Sequence, residues 1–318
     1  MSDIVELSEF PPQSQPMAEE LATVTTLHPP KEGVFDSGKH HFFQGEIEVG
    51  NDAVTWTLEV PENLVYEGLA IFVPGYSGIK GSSRGPRGAM ASEGYATATY
   101  SPSRHGSSWY ETARNPQILH AKTIKAIGKS VAAHEGLLQH APNIKTIGDG
   151  KKILLAHSMG GLGATEYGIH NPEDVDAIFK LAAVGYGHPT LKELLQDVPT
   201  KAHLGLWHEL IPTLRNGDIA PNLRNVRDMI RYFGGVRALL EGNSCLRHDS
   251  RDDVAALREA GIFIGYQAYR YDILVRADES VADHVDHHSV MENAGHLAPI
   301  YKSQLVARHI AHVLQNIK

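Results

Sequence analysis

The segment Ala156-His157-Ser158-Met159-Gly160-Gly161 carries the strongest chemical signal in the sequence. It follows an apolar run at 153–156 that reads as a buried strand, and Gly160, Gly161 and Gly163 open the helix expected beyond it. A chain that turns this sharply from strand to helix needs small flanking residues, and it lifts the central side chain clear of the sheet. Ser158 then stands at a helix N-terminus, where unpaired N–H groups favour a developing negative charge. That is a setting for a nucleophile. A serine hydroxyl needs a base, and the base needs an orienting carboxylate. Among 19 histidines, spacing selects His296, in the segment Asn293-Ala294-Gly295-His296 between the last expected strand and the last expected helix. Two acids precede it. Asp272 comes just after the apolar run 262–268, 24 residues before His296, while Asp278 lies 18 residues before it. Asp272 is preferred because it falls at a strand's C-terminal end. Asp278 is the alternative acid, suited if the strand were instead 273–276.

The elements that must position these residues follow from hydrophobic periodicity. Strands are expected at 41–49 and 53–60, joined by Gly50-Asn51-Asp52, and then at 69–73, 95–100, 153–156, 178–184 and 262–268. A weaker, more polar strand is expected at 289–292. Helices are expected at 117–138, at 252–260 with Ser250 and Asp253 as a capping box, and at 300–317. Continuous apolar strands alternating with helices predict an α/β fold, a mostly parallel central sheet with helices on both faces. The alternation breaks at 185–250, which reads as a helical cap or lid insertion over the sheet's carboxyl edge. The expected organisation is therefore a polar, Pro-rich extension (1–40), a first core part (41–184), the cap (185–250) and a second core part (251–318).

Composition narrows the function classes. The 318 residues carry 29 Lys+Arg against 37 Asp+Glu, a net charge of −8, which disfavours general affinity for nucleic acid or anionic membrane. No apolar stretch approaches the roughly 18–20 residues of a spanning helix. The acidic start lacks a hydrophobic region, so no secretory signal is expected and the location is read as cytoplasmic. A single cysteine, Cys245, leaves no intrachain disulfide and is read as a small apolar residue.

In these motifs the chain resembles the α/β-hydrolase superfamily, in the style of its serine esterases, lipases and monoglyceride-lipase-like members. The resemblance spans 41–318. It rests on the elbow His157-Ser158-Met159-Gly160-Gly161, the loop Ala294-Gly295-His296, the acid Asp272 and the order Ser, Asp, His along the chain. The elbow has Ala156 where the family's pattern has its first glycine. Phe72-Val73-Pro74-Gly75-Tyr76 resembles the family's segment after the third strand, with Pro74 in place of a common histidine. That match implies an oxyanion hole from the backbone N–H groups of Tyr76 and Met159. Ser101-Pro102-Ser103-Arg104-His105-Gly106 resembles the stretch after the fourth strand, with Ser101 where an aspartate is common.

The expected activity is hydrolysis of a small-molecule carboxylic ester through an acyl-enzyme, with no cofactor. Lactones, thioesters and amides would use the same atoms. Carbon–carbon bond hydrolysis or cofactor-free haloperoxidase-like chemistry is the alternative within the fold. Epoxide hydrolase and dehalogenase chemistry is disfavoured because those family members attack with an aspartate. A non-catalytic hydrolase-like module is the remaining alternative within the superfamily. A metal-binding protein is a separate alternative, resting on Asp283-His284-Val285-Asp286-His287-His288, where a helix would put His284 and His288 on one face. No glutamate follows His284, and the patch reads as a polar linker, so no metal is expected. Trp109, Tyr110, Trp207, Tyr232 and Phe233 are candidate pocket residues under the cap.

Overall fold

Leu69–Val73 and Lys152–His157 are buried along their whole lengths, as strands covered on both faces must be. They form the centre of the sheet in this computed structural model, which describes residues 40–49, 52–75, 84–101, 116–133, 147, 150–186, 248–272, 275 and 279–317. The strands are β1 (His40–Val49), β2 (Asp52–Pro61), β3 (Leu69–Val73), β4 (Thr97–Ser101), β5 (Lys152–His157), β6 (Val175–Leu181), β7 (Phe263–Tyr269) and β8 (His287–Met291). Their order across the sheet is β1-β2-β4-β3-β5-β6-β7-β8. The hairpin β1–β2 joins β4 antiparallel, and every pairing from β4 to β8 is parallel.

The helices are α1 (Arg84–Ser92), α2 (Pro116–Ala133), α3 (Gly160–His170), α4 (Arg251–Glu259), α5 (Ala298–Tyr301) and α6 (Ser303–Gln315). One face of the sheet is covered by α2, α3 and α4, through residues such as Ile124, Ile127, Tyr167 and Leu257. The other face takes α1 and α6, through Met90, Val306 and Ile310. This is the expected three-layer α/β architecture. Because β4 and β5 flank β3 on opposite sides, the strand order reverses at β3/β5. In open α/β sheets, ligands bind in the crevice outside the carboxyl ends of the strands at such a reversal. Among the described residues no helix is long and apolar enough to cross a membrane.

Several elements differ from expectation. The helix α1 has no counterpart among the expected elements, because Gly85, Pro86 and Gly88 suppress its helical signal. It is held by buried Arg87, which donates to Glu59 Oε2 at 3.1 Å and Thr57 Oγ1 at 2.6 Å on β2. The strand expected at 178–184 starts earlier and ends at Leu181, because Ala182 turns out of the sheet at φ 46°. The final helix is broken in two at Lys302. His284 and His288 do not share a helix face: His284 ends the short 3-10 turn Glu279–His284, and His288 lies in β8. The extension expected at 1–40 lies outside the described residues except for His40, which opens β1, and the cap expected at 185–250 lies outside them except for its two ends, 185–186 and 248–250.

Those two ends are tied together around the buried Lys180 side chain. Ser250 occupies the N-cap position of α4 without a side-chain cap bond, so the expected capping box does not form. Its backbone N–H and its hydroxyl instead donate to Gly185 O at 2.9 and 3.0 Å, and the hydroxyl accepts from Lys180 Nζ at 3.2 Å. Lys180, 0% exposed, also sits 4.5 Å from the Tyr186 ring centroid. Burial pulls its ammonium from the ordinary 10.5 down to about 7, with Asp253 opposing. A lysine depressed in this way binds fewer protons folded than unfolded between pH 7 and 10.5, so stability rises with pH across that window. Lys180→Met is therefore expected to stabilise the protein at pH 7.5 by on the order of 2–4 kcal/mol. Urea unfolding at about pH 7.5 and about pH 10 should show that gain shrinking at the higher pH; a gain independent of pH would remove desolvation as its cause.

Candidate active site

The residues singled out for chemistry gather at the carboxyl edge of the parallel strands. Ser158 directly follows β5 and takes φ 53°. Only two other described non-glycine residues have positive φ, Ala182 after β6 and Asn293 after β8. A left-handed conformation costs an L-residue about 1–2 kcal/mol, so the backbone strain is concentrated along this one edge. At Ser158 three hydrogen bonds enforce it. Its N–H donates to Leu181 O at 3.0 Å, and its carbonyl accepts from Gly161 and Val184 at 3.0 and 3.3 Å. Close approach fixes two glycines beside it. A Cβ on Gly160 would lie 2.5 Å from Val73 O, and one on Gly75 would lie 2.8 Å from Ser158 Cβ. The segment leaving β3 thus runs directly against the serine turn, at the strand-order reversal. Met159 begins the first turn of α3, where helical N–H groups lack intrahelical partners.

Asp272 and His296 meet. His296 Nδ1 donates to Asp272 Oδ2 at 2.8 Å, with side-chain exposures of 7% for the histidine and 0% for the aspartate. The other carboxylate oxygen of Asp272 accepts from Val275 N at 2.8 Å. Around the pair the two loops are zipped by backbone bonds, Arg270 N–H to Met291 O at 3.1 Å and Tyr271 N–H to Ala294 O at 2.9 Å. Outside them, Arg270 forms an exposed ion pair with Glu292 at 2.8 Å, which holds the Glu292 carboxyl below its usual range. Gly295 N–H donates to the Tyr301 hydroxyl at 2.9 Å, anchoring the histidine loop to α5.

One residue of this constellation escapes a reading of the sequence. His157, directly before Ser158, is buried and its Nε2–H donates to His296 O at 2.9 Å. The two imidazole centroids are 4.9 Å apart, and the His157 ring also stacks against Phe72. Burial, and then the neighbouring His296, push His157 down to about 3, while its backbone bond acts the other way. It is a neutral donor at neutral pH. Its only sequence signal is its place inside the elbow motif, where it reads as a flank. Tyr76, Asp278, Trp109, Tyr110, Trp207, Tyr232, Phe233 and Cys245 lie outside the described residues.

No protein-family model matches the chain, and no curated protein matches it in sequence. Solved structures do. The chain is similar to a bromoperoxidase from Bacillus anthracis (TM-score 0.57, 12% identity), covering 86% of this chain and 99% of that one. It is similar to a 2-hydroxy-6-oxo-6-phenylhexa-2,4-dienoate hydrolase from Rhodococcus (TM-score 0.58, 14% identity, 87% and 99% covered). A thermophilic esterase from Thermogutta terrifontis aligns over 92% of this chain and 99% of its own, at TM-score 0.52 and 14% identity. The class they define is the α/β-hydrolase fold, and this chain has it. Their printed activities differ, so the fold alone does not choose among them.

Proposed function

We propose that the protein is a serine hydrolase that cleaves a small carboxylic ester through an acyl-enzyme, with Ser158 as nucleophile, His296 as base and Asp272 as orienting acid. The observation that carries this reading is the buried Asp272–His296 pair. It is tethered through His157 to the strained turn that presents Ser158. With Nδ1–H committed to the carboxylate, the neutral His296 ring carries its lone pair on Nε2, the nitrogen that takes the serine proton in this scheme. Ser158 Oγ bonds to the substrate carbonyl carbon as that proton moves to His296. The carbonyl π pair becomes an oxyanion, held by the N–H of Met159 and that of Tyr76, the residue after Gly75. The oxyanion collapses, the carbon–alkoxide bond breaks, and His296 returns the proton to the alkoxide. Water, deprotonated by the same imidazole, then releases the acid.

Each oxyanion donor of this kind is worth about 2.7–4 kcal/mol by precedent. Lactones, thioesters and amides present the same carbonyl, and esters are favoured because an alkoxide leaves more readily than an amine. A serine at position 158 argues against the carboxylate-nucleophile chemistry of epoxide opening. The test is pre-steady-state kinetics with an aryl ester. A burst approaching one equivalent of phenol, or a trapped acyl adduct, is expected. Absence of both, together with no hydrolysis across a series of acyl lengths, contradicts the reading.

His157 acts in this scheme as a positioning residue, holding the His296 backbone. His157→Gln keeps an N–H for the His296 carbonyl, whereas His157→Phe keeps the ring's bulk without it. The Phe variant is expected to lose about 10–100-fold in kcat with little change in KM, as misplacement of a catalytic group does, and the Gln variant to recover most of it. The wild-type kcat/KM profile should rise with pH through a single imidazole ionisation, since His157 is neutral well below it. Equal activity of the two variants would deny His157 this role.

A further inference from the structure

The histidine-rich segment before His296 has a neighbour that the sequence does not reveal. His287 opens β8, and His309 lies in the middle of α6. Their Nε2 atoms are 3.2 Å apart, with ring centroids at 5.2 Å and planes inclined by 42°. Both residues are half-buried, so their nitrogens meet at a place that solvent still reaches. Both elements are anchored in the fold. His287 is paired to Gly265 on β7, and the turns of α6 around His309 are anchored in the core by Val306 and Ile310. Two neighbours of His287 in the segment, Asp286 and His288, are held by other elements. Asp286 accepts from Arg258 at 2.8 Å and from Ile264 N at 2.8 Å, and the His288 ring stacks on Tyr266.

Two imidazole nitrogens facing each other can share one proton, which requires opposite tautomers. They can equally share a metal ion. Two nitrogens each about 2.0–2.1 Å from Zn²⁺ in a tetrahedron are about 3.3 Å apart, close to the observed separation. We propose that His287 and His309 form a two-imidazole binding site for a borderline divalent cation such as Zn²⁺, Ni²⁺ or Cu²⁺. Among the described residues no cluster of three or more His, Cys, Asp or Glu side chains suits a metal, so water completes the coordination and the ion is exchangeable. An all-nitrogen protein ligand set disfavours Ca²⁺ and Mg²⁺, which take oxygen. Burial lowers both imidazoles, with His288 adding to it at His287, and His287 and then His312 at His309, which favours the neutral, ligating form. The site lies at the amino ends of the parallel strands, opposite the edge that carries Ser158 and His296. It is therefore separate from the proposed ester chemistry, and it ties the last helix to the strand that leads into the histidine loop.

Untagged protein, stripped with chelator and then freed of it, should bind one equivalent of Zn²⁺ by calorimetry and melt at a higher temperature with it. With Cu²⁺, electron paramagnetic resonance should show two coordinated nitrogens. His287→Gln and His309→Gln should each weaken binding by about tenfold or more, whereas His312→Gln, on the next turn of α6, should not. No saturable binding would overturn the proposal. So would several weak equivalents, a single coordinated nitrogen, or equal losses in all three variants; with 19 histidines in the chain, adventitious surface binding would look like that. Labelling of Ser158 by a phosphonate, which needs no ion, reports on the catalytic reading independently.

Discussion

Ser158→Ala should leave a folded protein with essentially no ester turnover, a loss of about 10⁶-fold in kcat by the precedent of other serine triads. The substitution removes one oxygen and keeps a Cβ, so the three backbone bonds that fix the turn, to Leu181, Gly161 and Val184, are unaffected. Alanine is no better suited than serine to φ 53°, so no strain is relieved and no rearrangement is encouraged. What disappears is the hydroxyl proposed to bond to the acyl carbon. The variant is compared with wild type on one aryl ester, with the thermal melt as the control for folding. Turnover within tenfold of wild type would mean that the nucleophile is elsewhere.

Asp272→Asn should also keep the fold yet lower kcat by about 10⁴-fold. The amide can still accept the Val275 N–H, so the loop retains that anchor. Towards His296, however, an amide nitrogen facing Nδ1 donates where the carboxylate accepted. It selects the tautomer whose Nε2 carries the proton and cannot take one from Ser158. The positive charge that develops on the imidazole also loses its counterion. Asp278→Asn should cost little, because the His296 Nδ1–H is already committed to Asp272 at 2.8 Å. If the Asp278 variant were instead the crippled one of two folded proteins, the orienting acid would move to Asp278.

The readable part of the fold is the part governed by local periodicity. The apolar stretches of β3, β5 and β7 are so continuous that the sequence places them within a residue or two. The strand β8 gives a weak signal because three of its five residues are polar and all five are only half-buried along an edge. The helix α1 is invisible in the sequence because its order comes from Arg87 reaching Glu59 and Thr57, a partnership between segments about 30 residues apart. Likewise Ser250 looks like a cap from its neighbours, but its hydroxyl is claimed by Gly185 and Lys180 from far along the chain. Within the candidate site, Ser158 and Asp272 can be picked out because each follows a recognisable strand, and His296 because of its spacing from them and its place before the last helix. The role of His157 cannot, since its partner is the backbone of a residue 139 positions away. The His287–His309 meeting is of the same kind.

The central claim is that Ser158 forms the covalent intermediate, and the most direct measurement is the intact and peptide mass after reaction with an aryl phosphonate ester. The account predicts one phosphonyl group per chain, on the peptide containing Ser158, formed faster as pH rises through the imidazole ionisation and absent in the Ser158→Ala variant. An adduct on a different residue, or undiminished labelling of that variant, would contradict it.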